Sequence, residues 1–328
     1  MDGVMVNATA APPVVLEPLG MRVIRLAIYI IIFLIATIGN SLVIFVVYKT
    51  RELHTVTGYL IANLAVADLG VGLLCIPFTV VVFELNFVWP FGYFMCKLIS
   101  PIQVFFLMGS VGTLMAISID RHQSIVYPFN PRITITQGKL IIALIWLIAL
   151  FPAFPMLGVM KQSYTWHKDG EPACMEDWPD QKLNVAYTVA SFLLTYAIPL
   201  PMIIILYIRI GLKLREAIKD AADRPGFHAA QQTTRIIKML VAVVVCYALC
   251  YLPFHTLYFT VSSGHKTRPD ILWLVMSYAQ VLLYFNSASN PLLYAFLGDQ
   301  FRNGFKKALG IKPKRDGAIS TSTHGTYA

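Results

Sequence analysis

The stretch CKLISPIQVFFLMGSVGTLMAISIDRHQSIVYP, residues 96–128, decides the fold. A long, mostly apolar run follows Cys96, with the amide Gln103 near its start, and then meets Asp120, Arg121 and His122 side by side. A helix rises about 1.5 Å per residue, so the eighteen residues from Gln103 to Arg121 cover roughly 27 Å. That is close to the hydrocarbon thickness of a bilayer, about 30 Å. The stretch reads as one rod with a polar group near one water interface and a charge pair near the other. A signal crossing the membrane through this chain has to move that rod or its neighbours.

The rest of the chain agrees with a membrane setting. Of 328 residues, 57% are hydrophobic and 13% charged, against about 25% charged in soluble domains; the mean hydropathy is +0.66. Seven apolar stretches, roughly 24–48, 57–82, 93–126, 139–160, 184–208, 235–261 and 271–297, are each long enough to span as a helix. The expected fold is an all-α membrane protein, a seven-transmembrane helix bundle with a short amphipathic eighth helix. Residues 1–22 form an outer tail, 23–297 the bundle, 298–310 the eighth helix and 311–328 an inner tail.

Charge orients the bundle. Of 26 Lys and Arg, 18 fall on the side that holds Arg121, from Lys49 and Arg51 to the group ending at Arg315. The positive-inside rule places the N-terminus outside and the C-terminus in the cytoplasm. These bases lie in loops between apolar spans and form no stripe, which excludes nucleic-acid binding. Residues 1–22 have no basic segment followed by an apolar core, so a retained outer tail is expected rather than a cleaved signal. Asn7-Ala8-Thr9 on that tail is a glycosylation sequon.

Five cysteines show no metal-ligand spacing. Cys246 and Cys250, one helical turn apart, read as packing residues. Cys96 and Cys174 are the two placed outside; in an oxidising compartment a disulfide is expected, the alternative being two free thiols. Asp68 is a carboxylate at membrane depth, which must face the bundle or a watery cavity; it reads as an ion or relay site, or else as a polar contact between helices. In residues 298–309, Phe301 and Phe305 lie at i and i+4 with Arg302, Lys306 and Lys307 opposite, a pattern that suits lying on an anionic leaflet. The polar run Ser320–Thr323 can take phosphate.

One set of marks per span resembles the rhodopsin-like (class A) G-protein-coupled receptors. They are Gly39-Asn40, Leu64-x-x-x-Asp68, Cys96, Asp120-Arg121-His122, Trp146, Cys174, Pro199, Tyr207, Cys250-x-x-Pro253, Asn290-Pro291-x-x-Tyr294 and Phe301. Three stretches are similar to neuropeptide receptors of the RFamide, neuropeptide FF and neuropeptide Y kind: 52–57 (ELHTVT), 121–129 (RHQSIVYPF) and 174–179 (CMEDWP). The resemblance implies a plasma-membrane receptor for an extracellular, C-terminally amidated peptide. Gln103 and Thr79 would hold the amide, Glu176 a basic peptide residue, with Tyr258 and Gln280 completing the ligand set. It implies a cytoplasmic heterotrimeric G-protein and arrestin as inner partners, with membrane lipids around the bundle. Asp120, Arg121, Phe129, Tyr207, Tyr251, Pro253, Asn290, Pro291 and Tyr294 would form the switch. No cofactor is implied beyond an allosteric sodium ion at Asp68, Ser110, Asn286 and Asn290, whose oxygens suit a hard cation.

Five departures stand out. Tyr251 and Tyr247 replace the family's usual Trp and Phe on helix six. His122 replaces the usual Tyr, Ser262 stands where many RFamide receptors have an acid, and Thr233 and Thr234 occupy the region where an acid usually meets Arg121. Rival readings are weaker. A transporter needs polar residues along several helices or paired broken helices, a light sensor needs a helix-seven lysine where Tyr284 stands, and an amine receptor needs an acid where Gln103 stands. A receptor for a non-peptide ligand remains the main alternative. No nucleophile, base and orienter converge, so no enzyme is expected.

Overall fold

The computed structural model describes residues 17–165, 169–220, 227–262, 269–308 and 310. Asn7, Ser320–Thr323 and Arg224-Pro225-Gly226, which reads as a helix breaker between the fifth and sixth apolar stretches, lie outside the described residues.

The chain forms α1 (Leu19–Lys49), α2 (Val56–Glu84), α3 (Gly92–Val126), α4 (Ile135–Val159), α5 (Gln181–Lys219), α6 (Phe227–Ser262), α7 (Pro269–Leu297) and α8 (Asp299–Ala308). Among the described residues, α1 to α6 are long and apolar enough to cross a membrane. The 29 residues of α7 pack against α6, α2 and α1 to complete the bundle. The first helix starts at Leu19, inside the segment 1–22 expected to be tail, and α4 starts at Ile135 rather than near 139. The signal for the latter is Thr134-x-x-Gln137, a capping box that satisfies backbone N–H groups at both ends of the pair.

One element departs from all-α. Strands β1 (Met160–Ser163) and β2 (Ala173–Glu176) pair antiparallel, with Gln162 opposite Cys174. They are too short to show an alternating pattern in sequence. The Cys96–Cys174 disulfide ties β2 to α3, and the Trp89 N–H side of the α2–α3 turn donates to Pro172 O at 2.7 Å. A small apolar core of Trp89, Ile99, Met156 and Val159 packs beneath the hairpin.

Proline explains two inter-helix ties. A proline lacks the N–H that would bond the carbonyl four residues earlier. Pro199 thus frees Thr195 O in the π-turn Leu193–Ala197, and the Tyr247 hydroxyl of α6 donates to it. Pro291 frees Ser287 O, and Asn40 Nδ2 of α1 donates to it at 2.9 Å. The second tie needs α1 close to α7 at that level. A Cβ on Gly39 would lie 2.7 Å from Pro291 Cβ, so only glycine fits there.

The centre of α3 is locked to α2 and α4 by a polar chain. Trp146 Nε1 donates to Asn63 Oδ1 at 2.8 Å, and Asn63 Nδ2 donates to Thr113 Oγ1 at 2.8 Å. Gly109 leaves room for the Trp146 ring, which a Cβ would meet at 2.7 Å. On α8, Phe301 is buried and stacks on Tyr294 at 5.2 Å, and Phe305 packs on the core, so these two residues dock the helix on the bundle. The basic residues of α8 stay at the surface.

Candidate functional site

At the Cys96 end, α3, α5, α6, α7 and β2 enclose a cavity of about 230 Å³. Gln103, Gln280, Glu176, Tyr258, Tyr251 and His255 are among its lining residues. The disulfide and hairpin hold Glu176 over α3. Its carboxylate accepts from Tyr258 OH at 2.7 and 2.9 Å and from Trp178 Nε1 at 2.7 Å. The neighbouring acids are engaged elsewhere: Asp177 pairs with Lys161 at 2.7 Å, and Asp180 caps the start of α5. Glu176 is therefore the acid of this group that the fold turns toward the cavity.

Deeper in, Gln103, Gln280 and Thr79 meet at one atom. Gln280 Nε2 donates to Tyr284 OH at 3.0 Å, Tyr284 OH donates to Gln103 Oε1 at 3.2 Å, and Thr79 Oγ1 lies 2.7 Å from the same hydroxyl. Thr79 is absent from the cavity lining and reaches it through Tyr284. Tyr284 is fully buried and was not among the candidate ligand residues. The sequence clue was a tyrosine in the middle of an apolar helix, where its hydroxyl needs partners.

Between α5 and α6 a ring column carries the cavity floor downward. Tyr251 lies 4.9 Å from Tyr247 and 6.2 Å from His255, and Tyr196 lies 6.1 Å from Tyr247. Pro253 stands within α6 beside this column. Ser262 is buried and its hydroxyl lies 2.9 Å from that of Thr188, tying α5 to α6.

Midway down, Asn290 Nδ2 donates to Asp68 Oδ2 at 2.6 Å. Asp68 Oδ1, Asn286 Oδ1 and Asn290 Oδ1 are buried without a hydrogen-bond partner, and Ser110 is buried too. Such orphaned oxygens are costly unless something positive meets them. The donor set fits a hard monovalent cation.

At the Arg121 end a second cavity of about 550 Å³ opens between α2, α3, α6 and α8. Asp120 Oδ2 accepts from Arg121 Nη2 at 2.7 Å and from the Thr57 hydroxyl of α2, a partner the sequence did not suggest. Tyr207 is buried, and the Tyr294 hydroxyl is buried without a partner. Phe129 is fully exposed beyond α3.

A disulfide-tied hairpin over a mainly apolar cavity with a few polar groups, a buried carboxylate below it and an arginine-lined cavity at the far end define a seven-helix membrane receptor. The chain belongs to the rhodopsin family of seven-transmembrane receptors, whose family model matches residues 39–294. It is a receptor and not an enzyme. It is 36% identical to neuropeptide FF receptor 2 of Mus musculus over 309 residues, covering 88% of this chain and 72% of that one. It is 33% identical to the RYamide receptor of Drosophila melanogaster over 307 residues, covering 89% and 64%. It is 34% identical to neuropeptide Y receptor type 2 of Cavia porcellus over 304 residues, covering 90% and 78%.

Proposed function

We propose that the chain is a plasma-membrane receptor, N-terminus outside, for a C-terminally amidated peptide with a basic residue near its end, and that it activates a heterotrimeric G-protein. One observation carries this reading: a single cavity is lined by two carboxamides, Gln103 and Gln280, and by one carboxylate, Glu176. A primary amide offers two donors and an acceptor, which paired glutamines match. An arginine offers a planar fork of donors, which a carboxylate matches. The names of the relatives, among them neuropeptide FF and RYamide receptors, point the same way.

The test is a panel of synthetic peptides ending in Arg-Phe-amide or Arg-Tyr-amide, with their free acids, on cells expressing the chain, read by calcium and cAMP. Amides are expected to signal and acids to fail. Gln103→Ala, which removes both a donor and an acceptor from a buried site, should weaken the amide about tenfold or more. An unchanged potency in Gln103→Ala sinks the assignment.

Binding shifts the population between two helix arrangements. Peptide seats among α2, α3, α6 and α7, the inner end of α6 swings about Pro253, and Arg121 leaves Asp120 to face the G-protein. Tyr207 and Tyr294 follow it, Phe129 presses on the G-protein from outside the cavity, and arrestin uses the same cavity. Lys306 and Lys307 on α8 meet the anionic inner leaflet. Asp68, Ser110, Asn286 and Asn290 hold sodium in the resting arrangement. Sodium chloride, compared with choline chloride, is then expected to weaken binding of an Arg-Phe-amide peptide to the wild type. It should have no effect on Asp68→Asn, which lacks the charge that attracts the ion. Equal sensitivity in both removes the sodium assignment.

A further inference from the structure

We propose that Tyr284 is a built-in competitor for the ligand's terminal amide: with no peptide bound, its hydroxyl engages the polar groups that the amide must take, and so sets amide selectivity. The inference rests on the amidated-peptide reading and adds the control of that site.

A tyrosine hydroxyl has one proton to give and two lone pairs to offer. Here all three are used. The proton goes to Gln103 Oε1 at 3.2 Å, one lone pair takes Gln280 Nε2 at 3.0 Å, and the other takes the Thr79 hydroxyl at 2.7 Å. The ring is fully buried and packs edge-on to Tyr29 at 6.3 Å, which fixes where the hydroxyl points. Gln103 and Gln280 face the cavity, whereas Thr79 and Tyr284 stand behind them.

An incoming amide can give an N–H to Gln103 Oε1 and accept from Gln280 Nε2. Each of those atoms has a second hydrogen-bonding position, but in the proposed exchange the amide replaces Tyr284 at both, and the hydroxyl then keeps Thr79 as a partner. Two bonds are exchanged for two, so Tyr284 reduces the fraction of receptor ready to bind without blocking a ligand that can replace it. A free carboxylate has no proton for Gln103 Oε1. It cannot complete the exchange, and its charge would be set against the carbonyl oxygen of Gln103 in a buried site. The exchange also unties α3 from α7, because Gln103 and Tyr284 are on those two helices.

The experiment measures direct binding of a synthetic peptide ending in Arg-Phe-amide, and of its free acid, to membranes bearing wild type, Tyr284→Phe, Gln103→Ala and the double variant. Tyr284→Phe keeps the ring and frees Gln103. It is expected to bind the amide about 3- to 10-fold tighter, with a smaller gain for the acid. In the Gln103→Ala background the same change should do nothing. Weaker or unchanged amide binding in Tyr284→Phe overturns the competition, as does an equal gain in the double variant. A second variant guards against misfolding: 3-fluorotyrosine at position 284, nearly isosteric and a stronger donor, should weaken amide binding, and no weakening counts against the proposal. The two layers separate cleanly. If wild type shows no preference for amide, or Gln103→Ala keeps the preference, the ligand reading fails and takes the inference with it. If the preference depends on Gln103 but ignores Tyr284→Phe, only the competition fails.

Discussion

Replacing Arg25 with methionine is expected to destabilise the receptor by about 3–5 kcal/mol, the cost of leaving a buried charge without its partner. Arg25 is only 4% exposed although it lies on the first helix of the bundle. Its Nη2 is 2.8 Å from Glu17 and 3.1 Å from Glu84, its Nε donates to both Glu17 oxygens, and its guanidinium lies 5.9 Å from the Phe83 ring centroid. Tyr278 OH donates to Glu17 at 2.8 Å, so one guanidinium joins the segment before α1 to α2 and α7. Methionine fills the space and removes the charge, leaving Arg22, which is 46% exposed, on Glu84 alone. Lysine is not a conservative substitute, because it lacks the planar fork that spans two carboxylates.

The pH dependence gives this prediction a second edge. Burial by itself would raise the Glu17 pKa, but the bonds from Arg25 and Tyr278 and the charges of Arg25 and Arg22 hold it below the ordinary carboxylate value. A depressed carboxyl contributes stability that is fully present above its unfolded pKa, about 4.3 for Glu. That contribution is lost as pH falls through the lower folded value. Wild-type melting temperature should therefore be insensitive to Glu17 near neutral pH. In Arg25→Met the stranded Glu17 carboxylate is relieved by protonation, so the gap between the two proteins should narrow on acidification. Thermal unfolding of purified receptor at neutral and mildly acidic pH reads both effects, and equal melting temperatures at neutral pH would falsify the account of this cluster.

Neither Arg25 nor Tyr284 could be placed from sequence, and the reason is physical. In a soluble helix the apolar stripe marks the face that meets the core. Here the lipid face is as apolar as the core: Leu147, Phe151 and Phe154 on α4 are largely exposed, while Leu60, Leu64 and Ile76 on α2 are buried. Hydropathy therefore located the spans, because lipid forces every backbone group into a helix, but not their rotation or relative height. Contacts such as Tyr284 with Gln103, 181 residues apart, depend on both. What was legible either marked a depth, as Gln103, Asp68 and Arg121 do, or followed from compartment, as the Cys96–Cys174 disulfide does. Thr57 beside Asp120 was missed for the same reason as Tyr284. A hydroxyl near the end of a span is ordinary until the facing helix is known.

Arg121→Ala is expected to abolish ligand-driven signalling while leaving peptide binding, since it removes the cation that faces the inner cavity and touches nothing in the outer one. Its neighbours should tune the unliganded signal in opposite directions. In the resting arrangement Arg121 is held by Asp120, and Asp120 by Thr57, so the restraint joins α3 to α2. The α6 wall of the cavity presents Gln232, Thr233, Arg235, Ile236 and Met239, and residues 227–240 contain no acid. What ties α6 inward near that level includes Arg235 to Asp299 of α8 at 3.0 Å, a largely exposed pair of small worth. Asp120→Asn discharges the partner of Arg121, which is 25% exposed. A pair between the exposed and buried limits contributes about 1–3 kcal/mol, so basal signalling should rise roughly 5-fold or more. Thr233→Glu supplies the missing carboxylate on α6 and should lower basal signalling. The measurement is unliganded G-protein activation at matched surface expression. If Asp120→Asn and Thr233→Glu both leave it at the wild-type level, the Asp120–Arg121 pair does not restrain the receptor, and the restraint has to be sought in the tie between α3 and α7 through Tyr284.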